Sequence, residues 1–231
     1  MENNCLVTKL KSVVQNDNLP IFGFSIINIG INENWDFSNP IMQIRGTQLD
    51  SIIDGGDLAS VAKCVSPGVT LTASKTTTGR YMLYVNQNSQ SGTIKLLLNN
   101  TGLIEMIVLQ DYDEKNTFNA LDFSNFYGNF GIAFGGNNVN PNTLDVFDSY
   151  KNIQFLSLSG NKFVGNLNTL RNDLQSVNIS YCYEINGDLN IFRNFANLQT
   201  LVIQYCNVTD TDNTAEYLRN KGVNVTYTPL S

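Results

Sequence analysis

Residues 153–161 read IQFLSLSGN, and the same pattern returns as LQSVNISYC at 174–182 and as LQTLVIQYC at 198–206. The three copies begin 21 and 24 residues apart. In each copy the first, fourth and sixth positions are apolar, and the last position is Asn or Cys. A second phrase, apolar-x-Gly-x-apolar, follows the first two copies at 163–167 and 185–189. One structural unit is therefore repeated along this half of the chain.

The spacing L-x-x-L-x-L-x-x-N/C and a period of roughly 20–29 residues are typical of leucine-rich repeats. Each unit supplies a short strand whose apolar side chains point inward, followed by a turn and a return segment. A single unit cannot bury its own apolar side chains, so neighbouring units must stack. An Asn amide at the end of a strand can bond the backbone of the next unit. The pattern predicts a short leucine-rich-repeat solenoid.

The repeat half is predicted to occupy residues 101–231. A continuous apolar run at 103–109 is expected to be the buried strand that opens it. The segment 131–141, which reads GIAFGGNNVNP, is rich in Gly and Asn and is expected to be a long connection. Thr143 can then cap a helix that runs toward Tyr150 on the convex side.

The end of the chain is expected to close the repeat half. Asp212 or Asn213 can cap a helix, and Gly222 lies where a helix-terminating glycine belongs. Residues 223–227 then alternate as a last strand. Because the last unit of a solenoid leaves an exposed edge, such a closing segment is needed.

Residues 1–100 have a different sequence pattern, in which short runs of alternating apolar and polar residues are separated by polar turns. Four of these runs, at 41–44, 69–73, 81–85 and 93–98, are expected to be strands. Short strands at this spacing favour a sandwich or a barrel. The chain is therefore predicted to be mainly β, with an N-terminal all-β sandwich or barrel-like domain over residues 1–100 followed by the solenoid over 101–231.

The charge of the chain is unevenly placed. It carries 14 basic and 20 acidic residues, which gives a net charge of −6. Residues 1–100 hold seven of each sign, whereas 101–231 hold seven basic and thirteen acidic residues. A nucleic-acid-binding chain is expected to show a clustered basic patch instead. We therefore expect no nucleic-acid partner.

The residue types needed for common catalytic sites are missing or scattered. The sequence contains no His, so the commonest general base and both Ser-His and Cys-His nucleophile pairs are excluded. Four cysteines without a C-x-x-C motif predict no zinc site. The carboxylates of Asp122, Asp173, Glu184 and Asp188 fall at unrelated repeat positions rather than as a pair. We expect a non-enzymatic protein with no cofactor and no metal site.

Two cysteines, Cys182 and Cys206, occupy the same position in adjacent copies of the pattern. Parallel strands lie about 4.8 Å apart, so a disulfide between them is geometrically open. A ladder of two buried thiols is the other interpretation.

No segment of the sequence has the pattern of a membrane or export signal. A basic region followed by an apolar core is missing at the N-terminus, so we expect no signal peptide. No apolar run approaches the roughly 18 residues that a membrane span requires. We therefore expect no membrane insertion.

The register of the repeated pattern identifies the side chains on the concave side of the predicted solenoid. The candidate binding residues among them are Phe155, Ser157, Asn178, Tyr181, Val202, Gln204 and Tyr205. The two tyrosines hold equivalent places in adjacent units. Aromatic rings among hydroxyl and amide groups suit a sugar or a protein loop. An ordinary solvent-exposed sheet with two incidental tyrosines is the alternative.

The opening residues CLVTKL at 5–10, with VV at 13–14 and NDNL at 16–19, resemble the start of proteins encoded by phages and prophages of gut Bacteroidales, including the crAss-like phages. Those proteins join a short N-terminal β domain to leucine-rich repeats of the G-D-I/L style, which the sequence GDL at 187–189 echoes. The resemblance covers the first 20 residues and the repeat half, and residues 30–100 only in texture. It implies a virion appendage and assigns no functional residue.

Taken with the resemblance, the sequence predicts a phage virion protein, a component of a head fibre or a tail fibre. Its N-terminal domain is expected to dock on other virion proteins, either capsid or fibre subunits, and to form a homo-oligomer, a dimer or a trimer. The solenoid is expected to present its concave face to a host-surface protein or glycan. A bacterial cell-surface leucine-rich-repeat adhesin is the alternative, and a carbohydrate-active enzyme would need two carboxylates facing one cleft.

Overall fold

The computed structural model describes residues 24–31, 36–53, 58–87, 92–110, 116–119, 130–135, 138–140, 142–149 and 153–230. Over these residues the protein is mainly β, as predicted, and its strands form two sheets. The strands of the first hundred residues are β1 (Phe24–Ile31), β2 (Met42–Arg45), β3 (Ala62–Cys64), β4 (Val69–Lys75), β5 (Tyr81–Gln87) and β6 (Gly92–Asn99). The four strands predicted from alternation in this region are confirmed as β2, β4, β5 and β6.

The strands after residue 100 are shorter and alternate with helical turns. They are β7 (Met106–Gln110), β8 (Asn116–Asn119), β9 (Phe130–Gly135), β10 (Asn138–Asn140), β11 (Ile153–Ser157), β12 (Gly165–Asn166), β13 (Ser176–Asn178), β14 (Ile185–Asp188), β15 (Thr200–Thr209) and β16 (Asn224–Pro229). One α-helix, α1 (Thr214–Asn220), lies near the end of the chain. The 3₁₀ helices are Leu49–Ser51, Leu58–Ser60, Thr101–Leu103, Leu144–Ser149, Leu167–Thr169 and Leu189–Asn194.

The larger sheet has eleven strands in the order β12-β14-β15-β13-β11-β9-β7-β2-β5-β4, with β16 also paired to β15. From β7 through β9, β11, β13 and β15 to β16 every pairing is parallel. At the other end β2, β4 and β5 pair antiparallel. The two parts meet where β2 pairs antiparallel with β7, Ile44 opposite Ile107. The sheet thus continues across residue 100, and the division into two domains there stays a prediction.

The smaller sheet has five strands in the order β10-β8-β1-β6-β3. Its central pair, β1 and β6, runs antiparallel, and β8 pairs with the other edge of β1. Ile29 on β1 and Leu96 on β6 are fully buried and belong to the same apolar core as Leu83 and Ile107 of the larger sheet. Both sheets are open at their ends within the residues described, so the barrel-like form of the prediction is not observed there.

Each copy of the repeated sequence pattern contributes one strand to the parallel part of the larger sheet. Leu156 on β11 aligns with Val177 on β13, which aligns with Leu201 on β15. The sixth positions of the three copies are fully buried; they are Leu158, Ile179 and Ile203. The shorter Gly-containing phrases form β12 and β14, which pair in parallel with each other, while β14 also pairs with the end of β15. Equivalent residues of the copies therefore lie side by side.

The segment that was expected to be a long connection, 131–141, is instead largely extended. Strand β9 lies between β7 and β11, and its Ile132 and Phe134 are buried. A Cβ on Gly131 would come within 2.8 Å of Met106 Cε and 3.0 Å of Phe155 Cβ. The glycine therefore reflects crowding inside a sheet. Pattern reading missed this because glycine also marks loops.

Two local predictions near helices need correction. The predicted convex helix after Thr143 is a 3₁₀ helix, Leu144–Ser149. Neither Asp212 nor Asn213 caps α1 through its side chain; Asp210 does, accepting hydrogen bonds from the backbone N–H groups of Thr214 and Ala215 at 2.5 and 3.1 Å. The chain turns through a left-handed Asn213, which brings the earlier carboxylate to the helix end. Gly222 follows the helix at φ +88°, as predicted.

Among the residues described, no helix is both long and apolar enough to cross a membrane.

Candidate binding surface

The seven candidate residues lie in or just after three adjacent strands, β11, β13 and β15. Phe155, Ser157, Asn178, Val202 and Gln204 alternate with buried residues, as the period of two in a strand requires. Tyr181 and Tyr205 break that alternation, each at a left-handed residue. We call the outward residues of the three copies the exposed strip; they are Phe155, Ser157, Ser159, Gly160, Ser176, Asn178, Tyr181, Thr200, Val202, Gln204 and Tyr205. None of them carries a charge. In an acidic chain, this face is therefore electrically neutral.

Parallel register arranges the strip in rows that run across the strands. Ser157, Asn178 and Val202 form one row, since they are direct partners in the pairing of β11, β13 and β15. Phe155, the first outward residue of β11, lies opposite Ser176. Ile153 to Phe155 includes an irregularity in the pairing of β11 with β9. The rows are separated by about 7 Å along the strands.

Tyr181 and Tyr205 form the row at the carboxyl end of the strip. Their ring centroids are 5.1 Å apart and the ring planes differ by 25°, which is a stacked arrangement. This distance is close to the strand spacing of about 4.8 Å, so each ring follows the register of its own backbone. The side chains remain 45% and 39% exposed. Two rings thus present a continuous aromatic surface to solvent.

Both tyrosines hold a left-handed backbone, with φ of +60° at Tyr181 and +55° at Tyr205. The equivalent residue of the first copy is Gly160, at φ +73°. Left-handed backbone costs an L-residue roughly 1–2 kcal/mol, and glycine avoids that cost. Interstrand hydrogen bonds maintain this turn: Gly160 N–H donates to Ser180 O, and Tyr181 N–H donates to Gln204 O, both at 2.8 Å. A strained residue of this kind motivates a hypothesis of function.

The position of Gly160 continues the tyrosine row but carries no ring. A Cβ placed on Gly160 meets no atom of the residues that the structure describes within 4 Å. The space above this glycine is therefore open, and it lies on the side of Tyr181 opposite to Tyr205.

The polar side chains of the strip have spare hydrogen-bonding capacity. Asn178 accepts a hydrogen bond from Ser180 N–H through Oδ1 at 3.1 Å, and its Nδ2 donates to no residue that the structure describes. Gln204 Nε2 makes a long contact with Thr228 Oγ1 at 3.4 Å. Ser180, between Asn178 and Tyr181, is instead only 3% exposed, and its Oγ has no partner among the described residues.

The strip rests on a row of buried side chains at the last position of each copy. Asn161 Nδ2 donates to Phe134 O and to Leu158 O, both at 2.8 Å. The thiols of Cys182 and Cys206 donate to Leu158 O at 2.8 Å and to Ile179 O at 2.6 Å. Apart from Leu158 O, which lies in the same copy as Asn161, these carbonyl partners belong to the preceding unit, whereas the sequence predicted bonds to the next unit. Since strands stack in chain order, the earlier unit presents its free carbonyls to the later one.

Cys182 and Cys206 are both free and buried, so the thiol-ladder interpretation is confirmed and the disulfide alternative is wrong. Burial raises the pKa of the Cys182 thiol to about 12 and also raises the pKa of Cys206. These thiols therefore stay protonated and act as short hydrogen-bond donors in the core.

Two of the four candidate carboxylates, Asp173 and Asp188, bond neighbouring side chains and backbone groups. Asp173 pairs with Arg171. Asp188 accepts hydrogen bonds from the backbone N–H groups of Asn190 and Thr211 and from the hydroxyl groups of Thr209 and Thr211. Burial acts to raise the pKa of Asp188, but these hydrogen bonds outweigh it and lower the pKa. Asp122 lies outside the described residues, among which no group of three or more potential metal ligands occurs.

Another polar cluster lies on the antiparallel part of the larger sheet. Asp50 accepts hydrogen bonds from Lys75 Nζ at 2.5 Å and from the Tyr81 hydroxyl. These hydrogen bonds lower the pKa of Asp50, while burial and the Asp50 contact raise that of Tyr81 to about 12. The three groups satisfy one another, so the cluster ties the edge strand β4 to the 3₁₀ helix at Leu49–Ser51.

Comparison with protein-family models, with curated proteins and with solved structures finds no match to this chain. Its surface must therefore be interpreted from its own geometry.

Sequence reasoning identified the tyrosines but not their backbone. The signal was present: Gly160, Tyr181 and Tyr205 share one position, and a glycine in one copy marks a position that can require positive φ. The alignment of the copies thus contained the turn geometry. The burial of Ser180 had no comparable signal.

Proposed function

We propose that this protein is a non-enzymatic component of a phage virion, a head fibre or a tail fibre, that binds through the exposed strip. Residues 101–231 would form a leucine-rich-repeat solenoid, and the strip would be its concave face. The N-terminal residues 1–100 would dock on capsid or fibre subunits and support a homo-oligomer. The strip would take a host-surface protein or glycan.

The parallel strands support the leucine-rich-repeat part of this proposal. Strands β11, β13 and β15 lie in chain order, one to a copy, with equivalent apolar residues aligned. The Asn161, Cys182 and Cys206 side chains bond the preceding unit in the same way. Stacked units that share such contacts are what the repeat pattern requires. The assignment to a virion rests on the sequence resemblance.

The stacked tyrosine pair is the observation that supports binding most strongly. Exposed aromatic rings are favoured in recognition surfaces because they bury a large area with little loss of side-chain entropy. Here two rings are held at left-handed positions that cost stability. The stack itself offsets part of that cost, by about 0.5–1.5 kcal/mol. A binding surface gains in addition two preorganised rings.

Quantitative mass spectrometry of purified phage particles tests the virion assignment. Particles from a lysate of cells that carry this gene should contain the protein at a fixed ratio to the capsid or tail proteins, and the copy number separates head from tail. A protein that is absent from particles and present on the cell envelope would overturn the virion assignment in favour of the adhesin.

A further inference from the structure

The open position above Gly160 continues the row of Tyr181 and Tyr205 on the side of Tyr181. Strand spacing puts this position about 4.8 Å from the Tyr181 side chain, on the face that Tyr205 leaves free. Rings in stacked contact have centroids 4.5–7 Å apart in proteins generally. The Tyr181–Tyr205 pair shows that the local spacing permits such a stack, at 5.1 Å. A third ring at Gly160 therefore has the right separation to contact Tyr181.

We infer that this position binds one pyranose ring of a neutral oligosaccharide, stacked on Tyr181 above Gly160. This inference rests on the proposed binding role of the exposed strip and names the class of its ligand. The C–H face of a pyranose carries slight positive charge and packs on the negative face of an aromatic ring. No charged side chain belongs to the strip, so a charged glycan gains no ion pair there.

The neighbouring polar groups favour a sugar over an aromatic side chain of a protein. Ser159 directly precedes Gly160, and Ser157 and Asn178 lie three residues before Gly160 and Tyr181, about 10 Å away along the strands. The Nδ2 group of Asn178 has no described partner and can donate to a hydroxyl. An aromatic side chain stacked on Tyr181 offers these groups no hydrogen-bond partner. A second ring of an oligosaccharide can reach them with its hydroxyls.

A matched pair of substitutions at Gly160 tests the site. Gly160→Tyr fills the open position with a third ring, and Gly160→Ala adds the same left-handed Cβ without a ring. Tyr181 and Tyr205 already tolerate this backbone, so both variants should fold, which thermal unfolding checks. Tyr181→Leu is a second test that removes the aromatic face while keeping an apolar side chain. Tyr183→Ala, at a 58% exposed tyrosine outside the strip, is the control for unspecific aromatic contact.

The probe is a printed glycan array that carries neutral pyranosides together with sialylated and sulfated glycans, incubated with the labelled full-length chain. We expect binding to a subset of neutral pyranosides, reduced roughly tenfold by Gly160→Tyr and by Tyr181→Leu, and nearly unchanged by Gly160→Ala and Tyr183→Ala. Binding to no neutral glycan, or equal losses in Gly160→Tyr and Gly160→Ala, would overturn the inference.

The two proposals can fail separately. If the array shows no neutral glycan while particles contain the protein and lose attachment on tyrosine substitution, the sugar site falls and the virion binding role stands. If particles lack the protein, the virion role falls whatever the array shows.

Discussion

Tyr181 and Tyr205 stack at 5.1 Å although each occupies a left-handed backbone conformation that glycine adopts more easily. The first copy of the pattern has Gly160 at the same position. The turn geometry is therefore a property of the fold, and the aromatic rings are an addition to it. Substitutions at these positions can therefore separate the effect of the backbone from the effect of the rings.

At Tyr181 the Gly variant should be more stable to unfolding than the Ala variant, whereas at the neighbouring residue Asn178 the order should be reversed. Tyr181→Ala loses the stack but keeps the left-handed strain, whereas Tyr181→Gly relieves it. We therefore expect Tyr181→Gly to have the higher free energy of unfolding, by about 1 kcal/mol. Asn178 lies in strand β13, so there Ala should be more stable than Gly. Urea unfolding measures both pairs, and a less stable Gly variant at Tyr181 would contradict the account.

Asn161 should matter more to stability than the cysteine that replaces it in the next copy. Its buried amide donates to Phe134 O and Leu158 O, and removing it leaves both carbonyls without that donor. We expect Asn161→Ala to lower the free energy of unfolding by roughly 2–3 kcal/mol. Cys182→Ala loses one thiol hydrogen bond and should cost about 1 kcal/mol. Equal losses in denaturant unfolding would show that the amide has no special role.

The buried thiols make stability depend on alkaline pH. Burial raises the pKa of Cys182 from its ordinary 9.0 to about 12 in the folded state. A raised pKa contributes stability that is complete below pH 9 and is lost as the pH rises toward 12. We expect the free energy of unfolding, measured by urea unfolding, to fall over this range. In Cys182→Ala it should fall less steeply, and the two slopes should differ by at most about 1.4 kcal/mol per pH unit.

Alkylation gives an independent check on the same thiols. At pH 8, iodoacetamide should label the half-buried Cys64 before Cys182 and Cys206, which react only after unfolding. Peptide mass spectrometry after timed quenching reports each site. Rapid labelling of Cys182 in the folded protein would contradict its burial.

Asp188 should lose its contribution to stability in acid. Its carboxylate accepts hydrogen bonds from Asn190 N–H and from Thr209 and Thr211, and these lower its pKa in the folded state. The contribution is therefore present above the ordinary pKa of 3.8 and is lost as the pH falls further. We expect Asp188→Ala to cost about 1 kcal/mol at pH 7.

Asp188→Asn is the matched variant, because Asn166 caps the equivalent 3₁₀ helix of the preceding unit through its own side chain. Asp188→Asn should lower the free energy of unfolding by less than Asp188→Ala does at pH 7. The difference in free energy of unfolding between wild type and Asp188→Ala, measured by urea unfolding, should become smaller below pH 4. A difference that stays constant down to pH 2 would show that the charge of Asp188 contributes nothing to stability.

The strands of the protein were largely predictable because their physical signal is local. Alternating apolar residues identified β2, β4, β5 and β6, and the repeated pattern identified β11, β13 and β15. Strand β9 was not predictable in this way, since Gly131 is there to accommodate Met106 and Phe155, which are distant in sequence. The side chain that caps α1, Asp210, was also not predictable. The left-handed backbone of Asn213 brings Asp210 to the start of the helix, and the amino-acid composition does not reveal this backbone conformation.

The alignment of the candidate residues was predictable from the sequence, but their geometry was not. Register alone placed equivalent residues of the three copies side by side, because parallel strands align equivalent positions. The stacking of Tyr181 on Tyr205, the open position at Gly160 and the burial of Ser180 depend on backbone conformation and packing. These three features convert a list of residues into a site with a shape.

Attachment of phage particles to host cells tests the binding role of the strip most directly. Particles that carry Tyr181→Ala with Tyr205→Ala should contain the protein at the wild-type copy number, as mass spectrometry can verify, and should adsorb roughly tenfold more slowly. Particles that carry Tyr183→Ala should adsorb at the wild-type rate. Unchanged adsorption of the double variant, at normal copy number, would contradict the assignment of the tyrosine row as the receptor-binding surface.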